Sequence, residues 1–221
     1  MRCACEIVAM ARRNRVDPWG DLHAVDGRGL FTGNRGCLVD DSSAIARHHR
    51  GSLWITCLTE FRGWRHPLDA PRRWTPLFFL DDAVALAAGH RPCGFCRREA
   101  YDAYRDAVTE AVGSPRPLHA TELNRALATE RLRRGRGLDR GGDRRLWTAP
   151  IDGLPVGTVI IGDDHRPRLV LDGQTMGFTF TRWVDRQDRP RRISVEVLTP
   201  PTSVAALAHG YVPVLHPSAS A

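Results

Sequence analysis

The sequence predicts an α+β fold, in which a small strand–helix–knuckle half is followed by a β-rich antiparallel half. Strand-like and helix-like patterns alternate along residues 52–134. After Trp147 the sequence changes to short alternating apolar runs separated by Gly, Asp and Pro, which is typical of antiparallel strands. Two cysteines in a CxxC pattern, Cys93 and Cys96, lie in the first half. These three observations define the expected fold class.

In the first half, we predict buried strands at 52–58 and 75–80, because both segments are rich in β-branched or aromatic residues. Asp81 is placed to cap a short helix that ends at Gly89, where glycine favours termination. Apolar residues at helical spacing predict a second helix that starts near Arg97. A third helix is expected from about residue 121 to residue 134.

In the second half, the runs VGTVII, RLVLDG, GFTFTRW and ISVEVL predict strands, and a helix is expected after two consecutive prolines. Between the halves, residues 131–145 carry seven Arg and two Asp without an apolar period, which predicts a flexible basic loop. The chain therefore divides into four regions. A flexible N-terminal extension covers residues 1–13, with Met10 as an alternative start, and an α+β region that carries the cysteine motif covers residues 14–130. An Arg/Gly-rich loop covers residues 131–147, and a β-rich region covers residues 148–221.

Length and composition limit the classes of protein to which the chain can belong. The 221 residues predict one domain, or one domain with a small appendage. With 42% hydrophobic and 26% charged residues the chain can bury a core, which excludes wholesale disorder. It has no apolar run near the roughly twenty residues of a membrane-spanning helix. Six cysteines without a secretory signal indicate a reducing, cytoplasmic compartment, and metal ligands or free thiols rather than disulfides.

The CxxC pair is the strongest chemical signal in the sequence. Two cysteines three positions apart, on a turn between two predicted helices, are typical of a zinc knuckle, and Gly94 permits the tight turn. A structural zinc ion needs four ligands, so we predict a zinc-stabilised first half with the ligands Cys37, Cys57, Cys93 and Cys96. His66 and His90 are alternatives for the fourth position. A thioredoxin-like redox pair is less favoured, because such a pair normally follows a strand directly.

The segment FFLDDAVALAAGHRPCGFCRRE resembles the zinc-binding domain of the Ada DNA-repair methyltransferase, which carries a strand, an A-x-x-A-G-[aromatic]-R-P-C-x-x-C knuckle and an upstream cysteine on a strand. The resemblance covers residues 52–98. It implies zinc ligation by Cys57, Cys93 and Cys96, and it implies that Cys57 is a catalytic thiolate that accepts a methyl group from a DNA phosphotriester. The family's second upstream cysteine corresponds to Phe61 here. The whole chain also resembles a group of uncharacterised bacterial proteins.

Arginine alone carries the positive charge of the chain, which has a net charge of +7 and no lysine. Arginine suits bidentate phosphate contacts and stacks on aromatic rings, although a GC-rich coding sequence would also replace lysine throughout. Arginine interleaved with tryptophan after the first predicted strand, together with the basic loop, favours a nucleic-acid interface. The residues predicted to contact nucleic acid are Arg62, Trp64, Arg65, Arg131, Arg133, Arg134, Arg136, Arg144 and Arg145.

Three functional hypotheses follow from these features. The leading one is a zinc protein that binds nucleic acid, DNA rather than RNA, with a role in repair or modification. The first alternative is a zinc-dependent enzyme that acts on nucleic acid by thiolate methyl transfer or by hydrolysis. The second is a small-molecule or protein interaction module based on the β-rich half. The sequence lacks a glycine-rich phosphate fingerprint, a nucleophile elbow and an HExxH motif, which disfavours the common nucleotide-binding and hydrolase classes.

Overall fold

The computed structural model describes residues 12–42, 44–68 and 73–220. It has 24% helix and 24% strand in two sheets, so the predicted α+β class is confirmed. Most of the predicted N-terminal extension, including Met10, lies outside the described residues. Within the described ranges, the helices are too short or too polar to cross a membrane.

The first sheet contains six short strands: β1 Arg15–Val16, β2 Leu22–His23, β3 Phe31–Asn34, β4 Ile55–Leu58, β5 Leu77–Phe79 and β6 Arg91–Pro92. Their order is β2-β1-β5-β3-β4-β6, with antiparallel pairs at the centre and a parallel pair of β4 with β6 at one edge. The two strands predicted in this half therefore exist, although both are shorter than expected. The strand β4 matters most for the site, because it connects the sheet to the edge strand that precedes the CxxC motif.

Four α-helices accompany the sheets: α1 Asp82–Ala87, α2 Arg98–Ala111, α3 Ala120–Arg131 and α4 Pro201–Ala208. The first begins as predicted, because the Asp81 side chain accepts a hydrogen bond from the Val84 amide at 3.1 Å. It stops at Gly89, whose φ of +83° favours glycine. The buried tyrosines of α2, Tyr101 and Tyr104, pack in one cluster with the residues that α4 buries.

The second sheet contains β7 Trp147–Pro150, β8 Val159–Ile161, β9 Pro167–Val170, β10 Gln174–Phe178, β11 Trp183–Asp188 and β12 Ser194–Val197. The order is β11-β10-β9-β8-β12-β7, and every pair of neighbours is antiparallel. The last strand returns to lie between β8 and β7. The predicted antiparallel half is therefore confirmed.

One hydrophobic core joins the two sheets. The largest cluster of buried residues includes Phe79 of β5, Val84 of α1, Leu169 of β9 and Trp183 of β11. The Trp183 indole N–H donates to Asp81 at 2.6 Å, so the residue that caps α1 also binds the second sheet. The two halves of the sequence therefore share this largest apolar cluster.

Replacing Trp183 with Phe is expected to lower the free energy of unfolding by about 1–3 kcal/mol, because the buried Asp81 carboxylate loses one of its donors. Urea denaturation monitored by circular dichroism measures the change. Trp64→Phe is the matched control: Trp64 is exposed, so its replacement is expected to change stability by no more than about 0.5 kcal/mol. Equal effects of the two substitutions would show that the indole–carboxylate bond does not join the halves.

The predicted flexible loop at 131–145 is wrong in its main feature. Arg131 ends α3, and three of the seven arginines, Arg131, Arg140 and Arg144, are buried. Backbone hydrogen bonds order the segment, among them Arg133 N to Asp143 O at 2.8 Å and Arg145 N to Arg131 O at 3.1 Å. Local composition suggested a solvated loop because it contains no apolar period. The segment is instead fixed by arginine side chains that enter the interior.

Candidate metal centre

Three cysteines, Cys57, Cys93 and Cys96, place their sulfur atoms within 4.8 Å of one another. We call this group the cysteine triad. Cys57 is the third residue of β4, and Cys93 directly follows β6. The parallel pairing of Thr56 with Pro92 brings the two cysteines to the same end of neighbouring strands. The convergence therefore depends on strand register as well as on the CxxC spacing.

Backbone hydrogen bonds hold the knuckle in place. The Cys93 amide donates to the Thr56 carbonyl at 2.9 Å, which extends the pairing of the two strands. The Phe95 amide donates to the Cys93 sulfur at 3.4 Å, a contact that stabilises a thiolate. A Cβ at Gly94 would lie 3.3 Å from the Tyr101 ring, so the turn also packs closely on α2.

The buried Arg97 side chain holds the knuckle in position, a role that the sequence did not reveal. Its guanidinium group forms two hydrogen bonds with the buried Asp82 carboxylate, at 2.7 and 2.8 Å, and a third with the Thr56 hydroxyl at 2.9 Å. It also lies 3.8 Å from the centre of the Phe31 ring. Arg97 is adjacent to Cys96, so this buried network anchors the CxxC turn to α1 and to the first sheet.

Hydrogen bonds within the triad shift the pKa values of its thiols in opposite directions. The contacts from Cys57 and Cys96 lower the pKa of Cys93, because they stabilise its thiolate. The same contact with Cys93, together with burial, raises the pKa of Cys57. A metal cation bound between the three sulfurs would displace the protons of these thiols.

The donor set fits a thiophilic metal such as zinc. Tetrahedral zinc with Zn–S bonds of about 2.3 Å needs sulfur atoms about 3.8 Å apart. The triad is already within 4.8 Å, so an approach of about 1 Å or less completes that geometry. Soft thiolate ligands select zinc over calcium or magnesium, which prefer oxygen.

The prediction that Cys37 is the fourth ligand has to be corrected. Its thiol donates to the Val39 carbonyl at 3.8 Å, and it does not belong to the sulfur cluster. The physical reason is the register of β3: Thr32 pairs opposite Cys57, while Cys37 lies beyond the end of that strand. Among the described residues, the cysteine triad is the only such group of possible ligands.

The two histidines considered as alternatives also lie outside the triad. His90 is completely buried and accepts a hydrogen bond from Arg35 Nε at 3.2 Å. The His66 ring centre lies 3.8 Å from that of Trp74, and its Nδ1 lies 2.7 Å from the Pro67 carbonyl oxygen. Both side chains are committed to other contacts, so the described part of the chain provides three metal ligands.

An aromatic pair, Phe61 and Phe95, lies beside the cysteine triad. The ring centres are 5.3 Å apart in an edge-to-face arrangement. Phe95 lies between the two knuckle cysteines and is 72% exposed. In the resemblance suggested by the sequence, Phe61 corresponds to a cysteine of the Ada family, and this position carries an aromatic ring here. Sequence analysis noted this departure but did not identify the contact between the rings.

The exposed residues that follow β4 lie next to this pair. The backbones of Phe61 and Trp64 exchange two hydrogen bonds of 3.0 Å, which closes a tight turn. The Arg62 guanidinium group lies 5.1 Å from the centre of the Phe61 ring, and Trp64 is 58% exposed. Arg65 forms an exposed ion pair with Glu60 at 2.6 Å. Three residues predicted to contact nucleic acid thus lie on the surface near the triad.

The remaining predicted contacts separate into two groups. Arg131 and Arg144 are buried and donate to backbone carbonyls, so they cannot contribute to an external interface, and this part of the prediction is corrected. Local charge could not reveal this, because burial depends on the elements against which a side chain packs. The other four predicted residues are exposed, namely Arg133, Arg134, Arg136 and Arg145.

The second sheet contains a cleft of about 240 Å³, far from the cysteine triad in sequence. Its lining includes apolar side chains such as Ile160 and Ile193, and the polar residues Asp163, Asp164 and Arg168. The Arg168 guanidinium already binds Asp185 at 2.8 Å. The cleft is the feature on which a small-molecule function of the β-rich half would depend.

Comparison with known proteins gives no match: no family model, no curated protein and no solved structure is similar to the chain. The resemblance to the Ada domain therefore stays a prediction that depends on the knuckle residues.

Proposed function

We propose that the protein binds zinc through Cys57, Cys93 and Cys96, and that it binds nucleic acid through arginine and aromatic side chains beside this centre. The observation that carries the proposal is the convergence of three sulfur atoms within 4.8 Å. A three-thiolate donor set suits zinc and leaves one coordination position for a further ligand. This arrangement differs from the closed four-cysteine site that the sequence suggested.

The nucleic-acid part of the proposal depends on the exposed turn that follows β4. Arg62 and Arg65 provide positive charge for phosphate groups, and Trp64 presents an indole on which a base can stack. The contact between Phe61 and Phe95 connects this turn to the knuckle. Unpaired bases offer exposed faces, so the surface suits a single strand better than a closed duplex.

Binding of fluorescently labelled single-stranded and duplex DNA, measured by anisotropy over a range of salt concentrations, tests this interface. We expect the double variant Arg62→Gln/Arg65→Gln to bind DNA more weakly than the wild type. The slope of a plot of log K against log salt concentration is expected to become shallower by about one unit for each phosphate contact that is lost. Trp64→Ala is expected to weaken single-strand binding by about 1–3 kcal/mol.

The matched control for charge is Arg166→Gln/Arg191→Gln, which removes two exposed arginines from connections between strands of the second sheet. A general effect of net charge would weaken binding equally in the two double variants. Equal weakening, or wild-type protein that binds neither form of DNA at low salt, would contradict the proposed interface.

The accessibility of Cys57 favours a second candidate function, thiolate alkyl transfer. Cys57 is partly exposed in β4, and a zinc-bound thiolate stays ionised and nucleophilic at neutral pH. In this reaction the sulfur attacks the methyl carbon of a phosphotriester. The carbon–oxygen bond then breaks, and the phosphodiester leaves with the electron pair.

Mass spectrometry of the protein after incubation with methylphosphotriester-containing DNA tests the second candidate. A single methyl group on the peptide that contains Cys57 is the expected result, with Cys37 unmodified as the internal control. Unmodified Cys57 in protein that has its full zinc content would rule out this reaction and leave zinc with a structural role.

A further inference from the structure

Three buried arginines, Arg35, Arg131 and Arg144, meet at the C-terminal end of α1, and we call them the arginine cluster. None is more than 3% exposed. Arg144 Nη2 donates to the Ala87 carbonyl, and Arg131 Nη1 donates to the Gly89 carbonyl at 2.9 Å. Carbonyl groups at a helix C-terminus carry partial negative charge, which explains why cations gather there.

The charge of this cluster is not balanced by carboxylates in direct contact. Among the described residues, no Asp or Glu lies within ion-pair distance of the three guanidinium groups. Asp17 and Asp21 act on Arg35 and Arg144 only at longer range. Buried positive charge normally has an anionic partner, so three arginines without a carboxylate in contact are an unusual arrangement.

Several donors in and around the cluster also lack an acceptor. Arg35 Nη2, Arg144 Nε, Arg144 Nη1 and His90 Nδ1 are buried and form no hydrogen bond. Buried polar atoms without a partner are rare, and N–H groups of charged side chains are the most costly of them. The four N–H groups are therefore open to an acceptor.

The open donors of Arg35 and Arg144 lie at the same helix end. A Cβ at Gly20 would lie 3.5 Å from Arg35 Nη2 and 3.8 Å from the Ala88 carbonyl oxygen. Ala88 follows Ala87, whose carbonyl binds Arg144. Gly20, a residue with φ of +92°, therefore has no side chain at the position that borders Arg35 Nη2.

Rigid neighbours hold the guanidinium groups in place. The Trp54 indole lies between two of them, with Arg35 at 4.1 Å and Arg131 at 4.0 Å from its ring centre. His48 Nε2 lies 2.9 Å from Arg35 Nη1 and 2.8 Å from the Gly20 carbonyl. The cluster is therefore organised before any ligand arrives, which lowers the entropy cost of binding.

We propose that the arginine cluster binds a small inorganic oxyanion of the phosphate or sulfate class. Such an ion carries one or two negative charges and several oxygen atoms, so it offsets part of the buried charge of the three arginines and accepts from more than one open donor. Burial of the cluster excludes a nucleic-acid backbone as the ligand. The proposal is independent of the metal centre, because no triad cysteine contributes to the cluster.

The first experiment uses wild-type protein prepared without phosphate or sulfate. The protein is titrated with inorganic phosphate at constant ionic strength. Calorimetry is expected to show saturable binding of about one ion per chain, and thermal unfolding is expected to show a melting temperature that rises with the logarithm of phosphate concentration. Chloride is the comparison ion. An equal rise with chloride, or no saturable phosphate binding, would overturn the oxyanion site.

Two arginine substitutions, one inside the arginine cluster and one outside it, localise phosphate binding. Arg144→Met removes two open donors and is expected to weaken phosphate binding by about tenfold or more. Arg125→Met, at an exposed position on α3, is expected to leave the dissociation constant within about twofold. Equal weakening in both would overturn the assignment. Circular dichroism shows whether each variant is folded. If Arg144→Met does not fold, Arg35→Lys is used in its place, because lysine retains the positive charge but lacks the open Nη2 donor of Arg35.

Discussion

Serine in place of Cys57, Cys93 or Cys96 is expected to reduce the zinc content from about one ion per chain to a small fraction of that value. Each substitution leaves only two thiolates, and zinc affinity depends steeply on the number of deprotonated sulfur ligands. Because metal binding contributes directly to folding, we also expect a loss of several kcal/mol of unfolding free energy, on the scale of about 10 kcal/mol known for small zinc domains. Elemental analysis and denaturant unfolding measure the two effects.

Cys37→Ser is the matched control, because Cys37 is a partly buried cysteine outside the triad. It is expected to retain the full zinc content and nearly the full stability. Loss of zinc from Cys37→Ser would contradict the three-cysteine centre and restore the four-cysteine site suggested by the sequence. Wild-type protein without metal after purification in zinc-containing medium would remove the basis for the zinc proposal.

Acid is expected to destabilise the protein through two buried histidines. Burial, followed by the nearby charge of Arg35, lowers the pKa of His48 to about 2. Burial and the charges of Arg35 and Arg131 lower the pKa of His90 as well. In the unfolded chain both side chains bind a proton near pH 6.5. Stability is therefore complete above that pH and declines as the pH falls below it, because only the unfolded state takes up protons.

The expected size of the acid effect follows from linkage. Between pH 8 and pH 5 each histidine that stays neutral in the folded state lowers the free energy of unfolding by about 2 kcal/mol, and the two together by about 4 kcal/mol. Urea denaturation at a series of pH values measures this dependence. Acid also protonates carboxylates, so the histidine contribution is isolated by substitution.

His48→Gln removes one titrating group and retains a donor for the Gly20 carbonyl. We expect its stability to decline less steeply with acid, by about 2 kcal/mol over the same interval. The control His209→Gln changes an exposed histidine and is expected to leave the pH dependence as in the wild type. Parallel pH profiles for wild type and His48→Gln would show that His48 does not remain neutral in the folded state.

Local features of the fold were predictable because they depend on residues a few positions apart. The cap at Asp81, the helix end at Gly89 and the helix that follows the CxxC turn are all present. The antiparallel half was also predictable, since alternating apolar residues and turn residues determine each hairpin within a short segment. Element boundaries were less accurate, and strand β4 begins three residues later than position 52.

The failures concern contacts between distant segments. Cys37 matches a ligand in residue type, but strand β3 carries Thr32, not Cys37, opposite Cys57. Arg131 and Arg144 match a basic surface in composition, but the carbonyl groups at the end of α1 draw them into the interior. Neither outcome is visible in a local pattern, because each depends on which elements become neighbours.

The sequence alone determined the α+β class, the knuckle and the choice of Cys57 as its upstream partner. Only the tertiary structure decided that three sulfurs rather than four converge, that Phe61 packs on Phe95 of the knuckle, and that the basic segment is partly interior. The reason is physical: local patterns select the elements, whereas strand register and helix packing select the side chains that meet.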